Sequence, residues 1–187
     1  MNDDVYTLPA DLPVPLDDGA ADHLPGAHVP PLVLDSSAGP VDLAELCAER
    51  GVVYVYPRSG RPGVPLLPGW NDIPGARGCT PQSCAFRDHH AELKALGARV
   101  AGLSAQPLDD QIEFAERNRM PFPVVSDPLL RLEAELGLPT FETAGLRLYK
   151  RLTLVAECGV VVKAFYPVFP PDRNAGDVVA WLTQHPQ

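Results

Sequence analysis

No stretch of this 187-residue chain approaches the roughly 20 consecutive apolar residues that a membrane-spanning helix needs. The start, Met1-Asn2-Asp3-Asp4, lacks both the basic residues and the apolar run of a secretory leader, so a cytoplasmic protein is expected. Basic charge is scarce as well. Fifteen Lys plus Arg stand against 24 Asp plus Glu, a formal charge of -9 that repels a phosphate backbone and excludes nucleic acid as an expected partner. Cysteine is limited to Cys47, Cys79, Cys84 and Cys158; in a reducing compartment such residues are buried or working thiols rather than a disulfide framework. No repeat of solenoid period occurs.

What is present is an apolar fraction of 45%, enough for one domain to bury a core unaided by disulfides. Proline and aspartate crowd residues 1–31, which are expected to form an arm, too polar and broken to nucleate a core, lying on a domain of residues 32–187. Beyond it, short β-branched runs at 52–56, 99–103, 123–126, 152–155 and 160–162 predict strands. Apolar residues at helical spacing alternate with them: Leu43/Leu46/Cys47, Phe86/His90/Leu93/Leu96, Leu108/Ile112/Ala115, Leu129/Leu132/Leu136 and Val178/Trp181/Leu182. Alternation of this kind predicts a mainly parallel α/β sheet with helices on both faces, and the turn at Ala156-Glu157-Cys158-Gly159 adds an antiparallel hairpin. That combination suits a thioredoxin-like sheet.

Residues 57–78 break the alternation. Pro57, Pro62, Pro65, Pro68 and Pro74, with Gly60, Gly63, Gly69 and Gly75, leave neither helix nor ladder room to persist. A loop of about 20 residues inside a compact domain is usually functional or disordered, and this one runs directly into Cys79. There the Gly-rich segment Gly75-Ala76-Arg77-Gly78 gives way to a helical pattern. The amides of a first helical turn lack intrahelical acceptors and stabilise an anion placed among them. A thiolate is such an anion, and a cysteine in this setting can ionise well below the ordinary value of about 8.5.

Together, Tyr56-Pro57, Gly78-Cys79-Thr80-x-Gln82-x-Cys84-x-Phe86-Arg87-Asp88, Gly102-Leu103-Ser104, Phe122-Pro123-x-x-Ser126-Asp127 and Arg151-x-Thr153 resemble the bacterioferritin-comigratory, or Q-type, branch of the peroxiredoxins. The resemblance spans about residues 32 to 185. It implies a thioredoxin-like fold and a thiol peroxidase acting on hydrogen peroxide or organic hydroperoxides. Cys79 would attack the peroxide, Cys84 would resolve the sulfenic acid as a disulfide, and Arg151 would hold the thiolate and polarise the substrate. Gln82 matches a position that orients such an arginine, and Pro57, Gly78 and Thr80 complete the implied substrate site. The implied reductant is thioredoxin-like, with no metal and no organic cofactor; monomer and homodimer both remain open.

Two departures accompany the match. Ala76 stands where the family carries a threonine whose hydroxyl bonds thiolate and peroxide, and Asp72 stands at the proline position. Either Thr80 or a residue of the inserted loop 58–77 replaces that hydroxyl, or catalysis is weaker. Cys47 on an apolar stripe and Cys158 in a turn read as structural. His90 reads as a core histidine, His89 points elsewhere, and neither is assigned to catalysis. Arg77 and Arg87 flank the site, either raising its potential or simply solvated, while Trp70 either covers the pocket or anchors the loop. Competing readings are a thioredoxin-like disulfide oxidoreductase, a zinc or structural module, and a non-turnover peroxide sensor. The first typically needs two cysteines separated by two residues, against four here, and the second lacks paired ligand motifs.

Overall fold

The computed structural model describes residues 4–187, so Met1-Asn2-Asp3 lie outside the described residues. A short antiparallel pair, β1 (Val33–Leu34) and β2 (Val41–Asp42), leads into the single turn α1 (Leu43–Leu46). Asp42 caps that turn, its carboxylate accepting the Ala44 N–H at 2.9 Å. There follow β3 (Arg50–Val55), α2 (Cys79–Asp88), α3 (His90–Ala95), β4 (Arg99–Ser104), α4 (Leu108–Asn118), β5 (Val124–Ser126) and α5 (Arg131–Leu136). The chain closes with the hairpin β6 (Thr140–Thr143) and β7 (Leu146–Tyr149), the hairpin β8 (Leu152–Glu157) and β9 (Val160–Phe165), and α6 (Asn174–Gln184).

The central sheet has the order β5-β4-β3-β8-β9. Its β5-β4-β3 half is parallel and its β3-β8-β9 half antiparallel. This is the mixed thioredoxin-like sheet expected from the alternation of patterns. Both faces of β3 are buried, and its side chains divide by pleat. Val53 and Val55 pack with Leu43, Leu46, Leu132 and Leu136 of α1 and α5. Val52, Tyr54 and Tyr56 face the other way, toward Phe86, Leu93, Phe114 and Val178 of α2, α3, α4 and α6. Cys47 belongs to the first face and Cys79 to the second, so the sheet separates them.

Four local readings need correction. The pattern from Phe86 to Leu96 is two helices rather than one, interrupted at His89, whose backbone (φ -89°, ψ 5°) leaves the helical range. His90 therefore sits at the start of α3, half-buried with its ring 5.5 Å from that of Phe122, instead of deep in the core. Leu129 lies in the turn before α5 and is 80% exposed, because the chain enters that helix through a left-handed Leu130 (φ 52°). The Pro-rich loop does hold one 3-10 turn, Trp70–Asp72, and a small core of its own in which Trp70 packs with Ala76 and Leu148. Trp70 thus anchors the loop.

The arm also contributes apolar packing. Leu24 is fully buried and Ala21 nearly so within the α1/α5 face, so the segment expected to lie on the domain also lends side chains to its core. Backbone bonds from Gly26 and Val29 to the carbonyls of Val161 and Gly159 stitch it alongside β9.

Candidate active site

Cys79 is the first residue of α2, reached through Gly78 in a left-handed conformation (φ 100°). Only glycine fits that position. A Cβ there would stand 2.4 Å from Pro171 Cγ and 2.7 Å from Leu8 Cδ2, inside contact distance. No side chain caps the helix start; Pro81 has no N–H and Gln82 N–H donates to Gly78 O at 3.0 Å, so the Cys79 and Thr80 amides are the ones left without an intrahelical acceptor. The thiol is 3% exposed. Phe86, fully buried with its ring stacked 4.4 Å from Tyr54, fixes the rest of α2 to the sheet.

Arg151, between β7 and β8, is buried with its guanidinium facing the loop before α2. Its Nη2 lies 3.2 Å from Cys79 Sγ and donates also to the carbonyls of Ala76 at 3.1 Å and Arg77 at 3.0 Å. Nε donates to Gly75 O at 3.2 Å, and Nη1 to the side-chain oxygen of Gln82. A buried guanidinium with unfilled donors would be costly, and every partner here is a neutral oxygen except the cysteine sulfur. Among the described residues no carboxylate forms a salt bridge with it.

Gln82, fully buried one turn into α2, is oriented at both ends of its amide. Its oxygen accepts from Arg151, and its Nε2 donates to Asn174 Oδ1 at 2.9 Å, which also accepts from Thr153 Oγ1 at 2.6 Å. Arg151, Gln82, Asn174 and Thr153 form one buried chain that ties strand β8, helix α2 and the start of α6 to the guanidinium. Asn174 escaped the sequence reading. Its only prior signal was a polar residue ahead of the Val178/Trp181/Leu182 stripe. Thr153 was part of a motif but carried no role.

The remaining predicted residues scatter around this centre. Thr80 is buried in the first turn, and Pro57 is buried just after β3. Among the described residues no hydroxyl, that of Thr80 included, hydrogen-bonds Cys79 Sγ; as a thiol, Sγ donates to Ala76 O at 3.6 Å, and Arg151 donates to the same oxygen. Cys84 is half-buried further along α2, its Sγ donating weakly to Asn118 Oδ1 at 3.8 Å. Burial pushes its thiol pKa up. Arg87 donates to Asn118 O at 3.0 Å and so neighbours Cys84, while Arg77 binds the carbonyls of Asp4 and Thr7 and holds the arm. Cys47 is buried away from the site, its thiol raised to about 11 by desolvation, and Cys158 is exposed at a left-handed turn (φ 50°). All four cysteines are free. Among the described residues no group of three or more His, Cys, Asp or Glu is arranged to hold a metal ion, and no helix is long and apolar enough to cross a membrane.

Over most of its length the chain is similar to known proteins. Chloroplastic peroxiredoxin Q of Sedum lineare is 28% identical over 158 residues, covering 84% of this chain and 76% of that protein. Its Arabidopsis thaliana counterpart is 26% identical over 148 residues, covering 79% of this chain and 61% of that protein. In three dimensions the chain is similar to peroxidoxin BcpB of Mycobacterium tuberculosis, with a TM-score of 0.70 and 26% identity over 87% of this chain and 98% of the other. It shares its fold with peroxiredoxin Q of Xanthomonas campestris at a TM-score of 0.66 and 23% identity, over 94% and 99% of the two chains. The redoxin family model matches residues 24–179, and by that match and these relatives the chain belongs to the redoxin family, in its Q-type peroxiredoxin branch.

Proposed function

We propose that the protein reduces peroxides at Cys79, using Arg151 as its fixed electrophilic partner and Cys84 as the resolving thiol. The single observation that carries this reading is the 3.2 Å contact between Arg151 Nη2 and Cys79 Sγ in a site that water barely reaches. Among the described residues no carboxylate pairs with the guanidinium, so Cys79, once it gives up its proton, is the group placed to balance that charge. A charge-assisted contact of that kind gains strength when desolvated.

In the first step the thiolate attacks the distal oxygen of R–O–O–H. An S–O bond forms as the O–O bond breaks; sulfur is oxidised to the sulfenic acid, and the released alkoxide or hydroxide takes a proton to leave as alcohol or water. Arg151 and the first-turn amides of α2 face the charge that develops as the O–O bond lengthens. In the second step the Cys84 sulfur displaces the sulfenic oxygen as water, giving a disulfide. A thioredoxin-like dithiol would then return both cysteines to thiols by exchange.

The disulfide-oxidoreductase alternative would want both sulfurs at one helix tip, whereas Cys84 lies five residues into α2 against Asn118. The test is peroxide consumption with a thioredoxin system. Cys79→Ser should abolish turnover, while Cys47→Ser and Cys158→Ser retain it. Equal loss in either of the latter two would displace Cys79 from the nucleophile's role.

A further inference from the structure

The redoxin model begins at residue 24, yet the arm before that point runs across the site. Arg77 grips the carbonyls of Asp4 and Thr7, and Leu8 lies against Gly78. Pro15 stands within 3.5 Å of where a Cβ on Gly75 would be, and Gly75 is the residue whose carbonyl accepts from Arg151 Nε. Just beyond, Asp18 is clasped by two groups of the domain: Lys150 Nζ at 2.6 Å and the Tyr166 hydroxyl at 2.7 Å. Those partners hold its carboxyl down to about 2.

Between the arm and the domain opens a pocket of about 220 Å³. Pro15 and Leu16 of the arm, Ile73 of the inserted loop, Phe141 of β6 and Val168 give it apolar walls, and it shares Arg151, Gly75 and Pro57 with the site. Hydrogen peroxide has no group to fill such a space, since even a water molecule's share of liquid is only about 30 Å³ and an apolar cavity of roughly 150 Å³ accommodates benzene. Leu16 is 85% exposed, an apolar side chain left bare beside an apolar pocket.

We infer that Pro15 and Leu16 are specificity-determining residues: the arm supplies one wall of a binding site for the organic group of a bulky alkyl or aryl hydroperoxide, and the Asp18 clasp keeps that wall in place. The inference rests on the peroxidase reading and adds to it which substrates the site favours and which segment selects them. These residues precede the region that the redoxin model matches, so that match by itself assigns them no role.

The test is single-turnover oxidation of the fully reduced protein, with cumene hydroperoxide and hydrogen peroxide compared in wild type, Leu16→Asp and Asp18→Ala. Leu16 is exposed and Asp18 lies at the surface, so both variants should melt at the wild-type temperature. With Leu16→Asp the second-order rate constant for cumene hydroperoxide should fall about tenfold, the scale on which an apolar pocket discriminates. The constant for hydrogen peroxide should stay within about twofold, and Asp18→Ala should shift the ratio the same way by about threefold. A ratio unchanged in both variants, whether both rates fall together or neither falls, would overturn the pocket assignment and leave the peroxidase reading intact. Wild-type protein oxidised by neither peroxide would overturn both.

Discussion

The two ends of α2 are held by different forces. At the Cys79 end the restraint is electrostatic. Arg151 spreads its donors over Cys79 Sγ, Gln82 and three loop carbonyls, and the arm lies against Gly78. At the Cys84 end the restraint is packing. Phe86 is fully buried against Tyr54, worth about 2–3 kcal/mol for a side chain of that size, while Cys84 itself makes one weak contact at 3.8 Å. Residues five apart in a regular helix have Cα atoms roughly 8.6 Å apart, and a disulfide needs less than about 7 Å. One end must therefore give way. On the proposed mechanism, oxidation of Cys79 would remove a thiolate charge facing Arg151, whereas nothing in that reaction weakens the burial of Phe86. The chemistry releases the end it has finished with, and the unwinding should run from Cys79 toward Phe86 and stop there.

The largest effect should come from breaking the charged end. Arg151→Ala should lower the rate of Cys79 oxidation by about 10²–10³-fold, the usual loss when a donor facing developing charge is removed. Arg151→Lys should recover little, because a single ammonium cannot serve Gly75, Gln82 and Cys79 from one fixed plane. Asn174→Ala, which frees the Gln82 amide and takes the acceptor from the Thr153 hydroxyl, should cost about tenfold through misplacement of the guanidinium. Stopped-flow oxidation by hydrogen peroxide, with circular dichroism to verify folding, reads all three. A folded Arg151→Ala protein that reacts within threefold of wild type would reduce the charged contact to a structural one.

A second effect separates the two ends in time. Cys84→Ser should leave the first oxidation unchanged and let the sulfenic acid accumulate, visible as greater capture by a carbon nucleophile such as dimedone. The pH dependence of the resolving step in wild type sharpens this. In the folded helix burial raises the Cys84 thiol, so less of it is ionised at a given pH. If unwinding precedes attack, that burial is gone and the disulfide-forming rate should level off near the ordinary cysteine value of about 8.5. A rate still climbing well above that pH would place the attack inside a folded α2.

Sequence patterns revealed local features better than distant meetings, for a physical reason. The strands of the central sheet, the loop-to-helix entry at Cys79 and the glycine at 78 leave local marks: β-branched runs, proline and glycine, a thiol where a helix begins. The hairpin β6–β7 had a mark too, Ala144-Gly145 with both residues at positive φ (47° and 74°), but its flanking runs mix charges with apolar residues and were not read as strands. The break at His89 carries neither proline nor glycine. The burial of Leu24 and the role of Asn174 depend on partners more than 90 residues away, Gln82 for Asn174 and the α5 and β9 cluster for Leu24, and no local pattern encodes such meetings.

The smallest predicted effect concerns two hydroxyls beneath the segment that must unwind. Ser83 Oγ and Tyr54 Oη are buried neighbours whose only hydrogen-bonding contact is with each other, in poor geometry. A buried hydroxyl left wholly unsatisfied costs about 1–3 kcal/mol, and a poorly formed pair places part of that cost on the folded α2, since unwinding would return Ser83 to water. The reduced helix is thus held in place by Arg151 and Phe86 while being undermined from inside. Ser83→Ala should stabilise α2 by about 1 kcal/mol, a factor of about five in its opening equilibrium. Amide exchange over residues 79–85 should slow by that factor in the reduced protein, and disulfide formation should slow with it, while oxidation of Cys79 by peroxide stays unchanged. Tyr54→Phe keeps the ring stacked on Phe86 and should act in the same direction. Hydrogen exchange read by mass spectrometry, paired with thiol counting after a peroxide pulse, measures both quantities. Slower exchange without slower resolution would show that the disulfide forms by a motion other than the opening of α2.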